Sequence, residues 1–201
     1  MRLPLLLLLS VVTSQLYGQV SSRQHEISIS SSEFAIKGAT NVNHFECRLE
    51  NYVPHDTLDI RSSWDQHSIK FTNLVLSYPV AVFDCGLEAM NQDMQQLLNS
   101  EEHPLMHLHI KKITLKDNQK AIETLYVNSL VDLTVGGVKQ EVRVNDGIVT
   151  NHSETSLTFS GSVELNMRDF NLEPPVRFWG MVQVKEQLTV AFAVRMEVKT
   201  L

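Results

Sequence analysis

The chain is poor in catalytic signatures. Its 201 residues hold no G-x-S-x-G elbow, no CxxC pair and no phosphate-binding glycine loop. No motif therefore directs the reading towards a serine hydrolase, a dithiol oxidoreductase or a nucleotide-binding enzyme. Gly161-Ser162 lies within a strand pattern and has no evident His and Asp partners. Asp84 and Asp93 flank a helical stretch and read as a cap and a solvent-facing residue, not as an acid–base pair. Basic clusters are missing too. The 17 Lys and Arg are scattered among 23 Asp and Glu for a formal charge of −6, which argues against a nucleic-acid or anionic-lipid footprint. Beyond the first dozen residues, no apolar run approaches the roughly 20 residues that cross a bilayer, so stable membrane insertion is not expected. No internal repeat, low-complexity tract or linker marks a second domain. Cysteine occurs only at Cys47 and Cys85. An exported chain with that even count admits a disulfide, and two buried free thiols are the other reading.

The start of the chain decides the compartment. Met1-Arg2 is followed by Leu3 to Val12, apolar except for Pro4 and Ser10, and then by Thr13, Ser14, Gln15 and Gly18. A charged start, a short apolar run and a polar or small end make a secretory signal peptide over residues 1–18, with cleavage expected after Gly18. No cysteine sits just behind the apolar run, so a lipid-anchored lipoprotein is not expected. The protein is thus expected to be exported, either to a periplasm or outside the cell. Residues 19–201 are enough for a single domain that buries about 70% of its unfolded surface without staples.

From Glu33 onward the dominant period is two. Phe45, Cys47 and Leu49 share one strand face, and His44, Glu46 and Arg48 the other. Further strands are predicted at Leu58–Ile60, Ile69–Tyr78, Val80–Phe83, Leu105–Ile113, Thr124–Val135, Gln140–Val144 and Ser156–Met167, with Gly136-Gly137 as a hairpin turn. The final run, from Leu188 to Lys199, alternates without a fault. The serine-rich stretch Ser21–Ser32 reads as a weakly ordered arm or an edge strand. One amphipathic helix is predicted from Leu87, Met90, Met94, Leu97 and Leu98, with Asp84 placed to cap it and Asn99-Ser100 to end it. Many strands with one helix suggest a closed antiparallel barrel of about eight strands, filled or hollow, or a sandwich.

Several segments together resemble the YceI-like, polyisoprenoid-binding family. Phe34-Ala35-Ile36-Lys37-Gly38 followed by Thr40-Asn41-Val42-Asn43-His44-Phe45 is similar to its first hairpin. Phe83 to Asn91, with Asp93-Met94 and Pro104 behind, resembles its helix-to-strand region, and Leu133 to Lys139 its "LTxxGVxK" hairpin. Asp169-Phe170, Pro174-Pro175 and Gly180 resemble the loop before its closing strand. The first hairpin departs from the better-known branch, which has a histidine-rich start where this chain has Thr40-Asn41-Val42-Asn43. The resemblance implies a lipocalin-like barrel whose interior takes a long isoprenoid or other lipid tail, with no catalytic residues and no cofactor.

An apolar tunnel is what such a ligand requires, since each CH₂ removed from water gains about 0.8 kcal/mol. The candidate liners are Phe45, Phe71, Phe83, Leu108, Phe159, Val190, Phe192, Val194 and Met196, with Met90 and Met94 at a mouth covered by the helix. Ordinary core packing is the alternative for each. His103, His107 and His109 form the one metal-like cluster, against which stands a solvated strand face. Asn151-His152-Ser153 matches a glycosylation sequon that matters only on a eukaryotic secretory route. The expected function is a carrier, storage or sequestering protein for an apolar lipid. The alternative is a non-catalytic envelope or stress protein with a filled barrel that acts through its surface. Pairing into a homodimer is compatible with either.

Overall fold

The computed structural model describes residues 21–54, 57–65, 67–117, 123–177 and 181–201. The leader with its expected cleavage position, and Gly180 of the expected last loop, lie outside the described residues. Alternating apolar residues set the strands: β1 (Ser21–Ala39), β2 (His44–Tyr52), β3 (Thr57–Trp64), β4 (Ser68–Thr72) and β5 (Val75–Pro79). After the helix α1 (Glu88–Leu97) come β6 (Leu105–Leu115), β7 (Thr124–Val135), β8 (Val138–Asn151) and β9 (Ser156–Asn166). The chain ends in a small hairpin, β10 (Val176–Arg177) with β11 (Val182–Gln183), and the long β12 (Gln187–Thr200).

Eight strands close a ring in the order β1, β3, β4, β6, β7, β8, β9, β12 and back to β1, all antiparallel. Closure removes the sheet edges that long strands otherwise expose. The expectation of a mainly antiparallel barrel with one helix is met. Four strands stand outside the ring, β10 and β11 as a separate two-stranded sheet and β2 and β5 as extensions of the main one. β2 pairs with the second half of β1, and β5 with the first half of β6. At that end of the barrel the wall is completed by a two-way backbone bridge between Arg48 and Asp84, with N···O distances of 2.7 and 2.8 Å.

Four sequence expectations need correction. Ser21–Ser32 is not an arm or an edge. It is the first half of β1, paired with β3 on one side and β12 on the other. Its Ile27 and Ile29 point into the core, and a register shift between Ile29 and Ser31 then switches the inward side to Ser32 and Phe34. One inserted residue reverses which parity faces in, so strict alternation broke where the strand did not. Ile69–Tyr78 divides into two strands at Asn73, whose φ of 64° breaks the extended run, and Val80–Val82 forms a 3₁₀ turn. Asp84 does not cap α1, whose N-cap is Leu87 with no side-chain hydrogen bond. Its carboxylate instead accepts from the Gly86 N–H at 2.8 Å and the Asn91 amide at 3.2 Å, bracing the turn before the helix.

The Gly136-Gly137 turn forms as expected, with φ of 55° and 77°, the left-handed pair that a tight hairpin demands of both central residues. The barrel interior is not uniform along its length. At the end formed by the start of β1 and the end of β12, Ile27, Ile29, Ile60, Val127 and Met196 are all buried and fill the space. The other end is hollow.

Candidate functional site

The hollow end encloses a cavity of about 910 Å³. Its floor is aromatic. Phe34 packs edge-to-face on Tyr78 with ring centroids 4.7 Å apart, and Phe159 on Phe192 at 5.1 Å. Phe34 lies 6.2 Å from Phe192 and 6.3 Å from Phe83. Quadrupolar edge contacts of this kind add to the burial of each ring. The Tyr78 hydroxyl is satisfied by Ser32 Oγ at 3.1 Å, and burial pushes its pKa up to about 12 despite that hydrogen bond.

The walls come from the inward faces of the ring strands at this end and from β2, which lies beside them. β2 contributes Phe45 and Cys47, β6 contributes Leu108, and β9 contributes Phe159 near the floor. β12 contributes Val190, Phe192 and Val194, and Phe83 enters from the segment before the helix. Two sequence-predicted liners lie elsewhere. Phe71 sits on β4, opposite Ser62, and Met196 lies opposite Ile29, both towards the packed end. Their faces point inward, but at levels of the barrel where side chains leave no room. Alternation identifies a face and carries no information on depth along the barrel axis.

α1 covers part of the mouth, turning Met90, Met94 and Leu97 towards the cavity, while Leu87 is largely exposed at the rim. The helix is anchored by its preceding segment, because Cys85 is bridged to Cys47 of β2 and both face the cavity. The choice the sequence left open for the two cysteines is thus a disulfide. On the opposite rim the β1–β2 turn is tied to the β10–β11 hairpin. The Asn41 amide donates to the Met181 carbonyl at 2.8 Å and its Oδ1 accepts from the Gln183 N–H at 3.0 Å.

The histidines do not gather. His107 hydrogen-bonds Ser77 Oγ through Nδ1 at 2.8 Å, His109 lies opposite Asp132, and His103 lies against Gly137. Among the described residues no three His, Cys, Asp or Glu are arranged to hold a metal ion. The same outer face carries a charge cluster. Lys111 and Lys139 each reach the nearly buried Asp132 carboxylate at 2.7 Å, and Lys111 also reaches Glu141 at 2.7 Å. Hydrogen bonds from the two lysines hold the Asp132 carboxyl below its ordinary range. This cluster braces β6, β7 and β8 and faces away from the cavity.

Sequence reasoning passed over two sets of liners. Val131, Leu133 and Val135 on β7 and Val142 and Val144 on β8 alternate as clearly as β12 does, and their period was a usable signal. Thr40, Val42 and Asn43 of the first turn, and Leu172, Pro175 and Val184 near the last, come together only through tertiary folding. No local pattern marks them.

No helix among the described residues is long and apolar enough to cross a membrane. No curated protein matches the chain. Among solved structures, the chain is similar to one described as a polyisoprenoid binding domain from Saccharophagus degradans implicated in plant cell wall breakdown. That likeness has a TM-score of 0.61 and 11% identity over 87% of this chain and 98% of the other. Burkholderia cenocepacia BcnA is also similar, with a TM-score of 0.53 and 16% identity over 82% of this chain and 95% of its own. At such identities the likeness carries the fold. The sequence pattern of the YceI-like domain matches residues 12–196, and the chain therefore belongs to the YceI-like family.

Proposed function

We propose that the protein is an exported, non-catalytic binder that holds the long apolar chain of an isoprenoid-like or fatty lipid in the hollow end of its barrel, for carriage, storage or sequestration. The observation that carries this reading is the cavity of about 910 Å³, walled by Phe, Leu, Val and Met from the ring strands and the helix. That volume falls within the roughly 300–1,000 Å³ of small-molecule sites, and a hydrocarbon tail inside it gains about 0.8 kcal/mol per CH₂. The Saccharophagus degradans relative, described as polyisoprenoid binding, supports the same ligand class. Residues 19–201 act as one domain in this proposal. Export is supported by the Cys47–Cys85 disulfide, a bond that persists in oxidising compartments. The rival, a barrel filled by its own side chains, has the packed end in its favour but leaves the hollow end without a purpose.

The test is organic extraction of the purified native protein followed by mass spectrometry, with uptake of a fluorescent long-chain lipid measured alongside. A stoichiometric apolar molecule and saturable uptake are expected. A clean extract together with no uptake would refute the proposal and leave the outer surface as the working part.

A further inference from the structure

Exposed apolar side chains are not spread evenly over the barrel. Among the described residues the most exposed large hydrophobics are Val42 at 70%, Leu87 at 64% and Met181 at 63%. Val42 sits in the β1–β2 turn and Leu87 just before α1, and both also line the cavity. Met181 lies beside that turn, where its carbonyl accepts from the Asn41 amide at 2.8 Å, and its neighbour Val182 lines the cavity. All three therefore stand at the mouth. The next most exposed, Leu201 at 62%, lies at the packed end, where its N–H donates to the Gln24 carbonyl at 3.1 Å. Isolated exposed hydrophobics are ordinary, but several around one opening mark a surface that meets an apolar phase.

Val42 and Leu87 are at once wall and rim, so the apolar interior continues onto the outer surface at these two side chains. A hydrocarbon tail crossing the mouth through water pays a cost that grows with every exposed CH₂. That cost falls away if the rim rests on the hydrocarbon from which the tail comes, with its apolar side chains in the headgroup boundary. Charge at the rim is mixed, with Asp84 and Glu88 on either side of Leu87, and Lys185 beside Ala39. With a formal charge of −6 on the chain, this balance does not favour an anionic lipid surface. We propose that the rim formed by Val42, Leu87 and Met181 docks reversibly on a zwitterionic phospholipid bilayer, so that lipid passes between membrane and cavity by collision and not through water. This inference rests on the lipid-binding reading above.

The experiment mixes the delipidated full chain, purified after export, with phosphatidylcholine vesicles carrying a fluorescent long-chain alcohol. Transfer to the protein is followed as vesicle concentration rises. Docking makes the rate climb with vesicle concentration, whereas passage through water is limited by desorption and leaves it flat. Met181→Asp, a change outside the cavity lining, should slow transfer by roughly fivefold or more and leave the equilibrium affinity for the alcohol, measured without vesicles, unchanged. Val42→Asp combined with Leu87→Asp should also slow it, and Leu201→Asp should match wild type. Flat rates, or a Met181→Asp rate equal to wild type, overturn the docking while equilibrium binding keeps the lipid-binding reading intact. Failure to bind the alcohol by any route overturns both. Faster transfer when phosphatidylglycerol replaces part of the phosphatidylcholine overturns the zwitterionic preference. A dimer in sedimentation that disappears in Met181→Asp, together with flat rates, overturns the bilayer in favour of a second copy of the chain.

Discussion

The contrast between the packed and hollow ends of one barrel predicts opposite consequences for two large-to-small substitutions. Ile60 is 1% exposed at the packed end. Ile60→Ala removes three carbons at about 0.8 kcal/mol each and leaves a void inside a hydrogen-bonded ring that cannot collapse, for a total of about 3–4 kcal/mol. In a domain of this size that lowers the melting temperature by roughly 10 °C. Phe192 has the rings of Phe34 and Phe159 on its flanks at 6.2 and 5.1 Å and the cavity in front. In a solid core Phe→Ala costs about 3–5 kcal/mol, but a face already bordering empty space has no packing to lose. Phe192→Ala should therefore cost about 2 kcal/mol while weakening lipid uptake at least fivefold. Urea denaturation at constant m-value measures the first quantity, and uptake of a fluorescent lipid at 20 °C the second. Equal loss of uptake in folded Ile60→Ala and Phe192→Ala, or greater destabilisation by Phe192→Ala than by Ile60→Ala, would refute this contrast between the two ends.

Three further outcomes follow from named contacts. Cys47 and Cys85 close a loop of 38 residues, so reductant should remove about 4 kcal/mol in the chain-entropy model. The Cys47→Ala/Cys85→Ala double variant should be indifferent to reductant, and an unchanged wild-type midpoint under reduction would count against the bond. Tyr78 titrates at about 12 in the folded chain, above its ordinary 10. Its contribution, up to roughly 3 kcal/mol, is whole below pH 10 and disappears as pH rises through about 12. Tyr78→Phe should flatten that alkaline limb of stability, and parallel curves for the two proteins would refute the assignment. Asp132 has the opposite sign. Its lysine partners depress its carboxyl, so the stability it supplies is present at neutral pH and falls away on acidification through the depressed value. Asp132→Asn should lie below wild type at pH 7 and approach it at pH 3, as read from denaturation midpoints.

Much of the barrel was legible because its signal is local. Leu188 to Lys199 alternate because one face of β12 is core and the other is water, and Gly136-Gly137 marks a turn because both residues need positive φ. Ser21–Ser32 was not legible, since its serines suit either side and the bulge at Ser30 shifts the apolar parity halfway. The cavity was legible as a face and illegible as a place. Met196 and Phe192 belong to one alternating row, yet one is packed and the other borders empty space, because the bulk of opposing strands decides the matter. The capping role assigned to Asp84 failed because the helix begins farther along, at Glu88, and the carboxylate finds nearer donors in the turn.

The pairing of β1 with β12, from His25 opposite Thr200 to Lys37 opposite Thr189, joins the first described strand to the last. A ring closed in this way cannot form until the last strand has been synthesised, and contacts so distant in sequence slow folding. The wall that Phe192 and Val194 supply is also the last to arrive. An unfinished chain therefore has neither the closed ring nor the part of the cavity wall that its last strand brings.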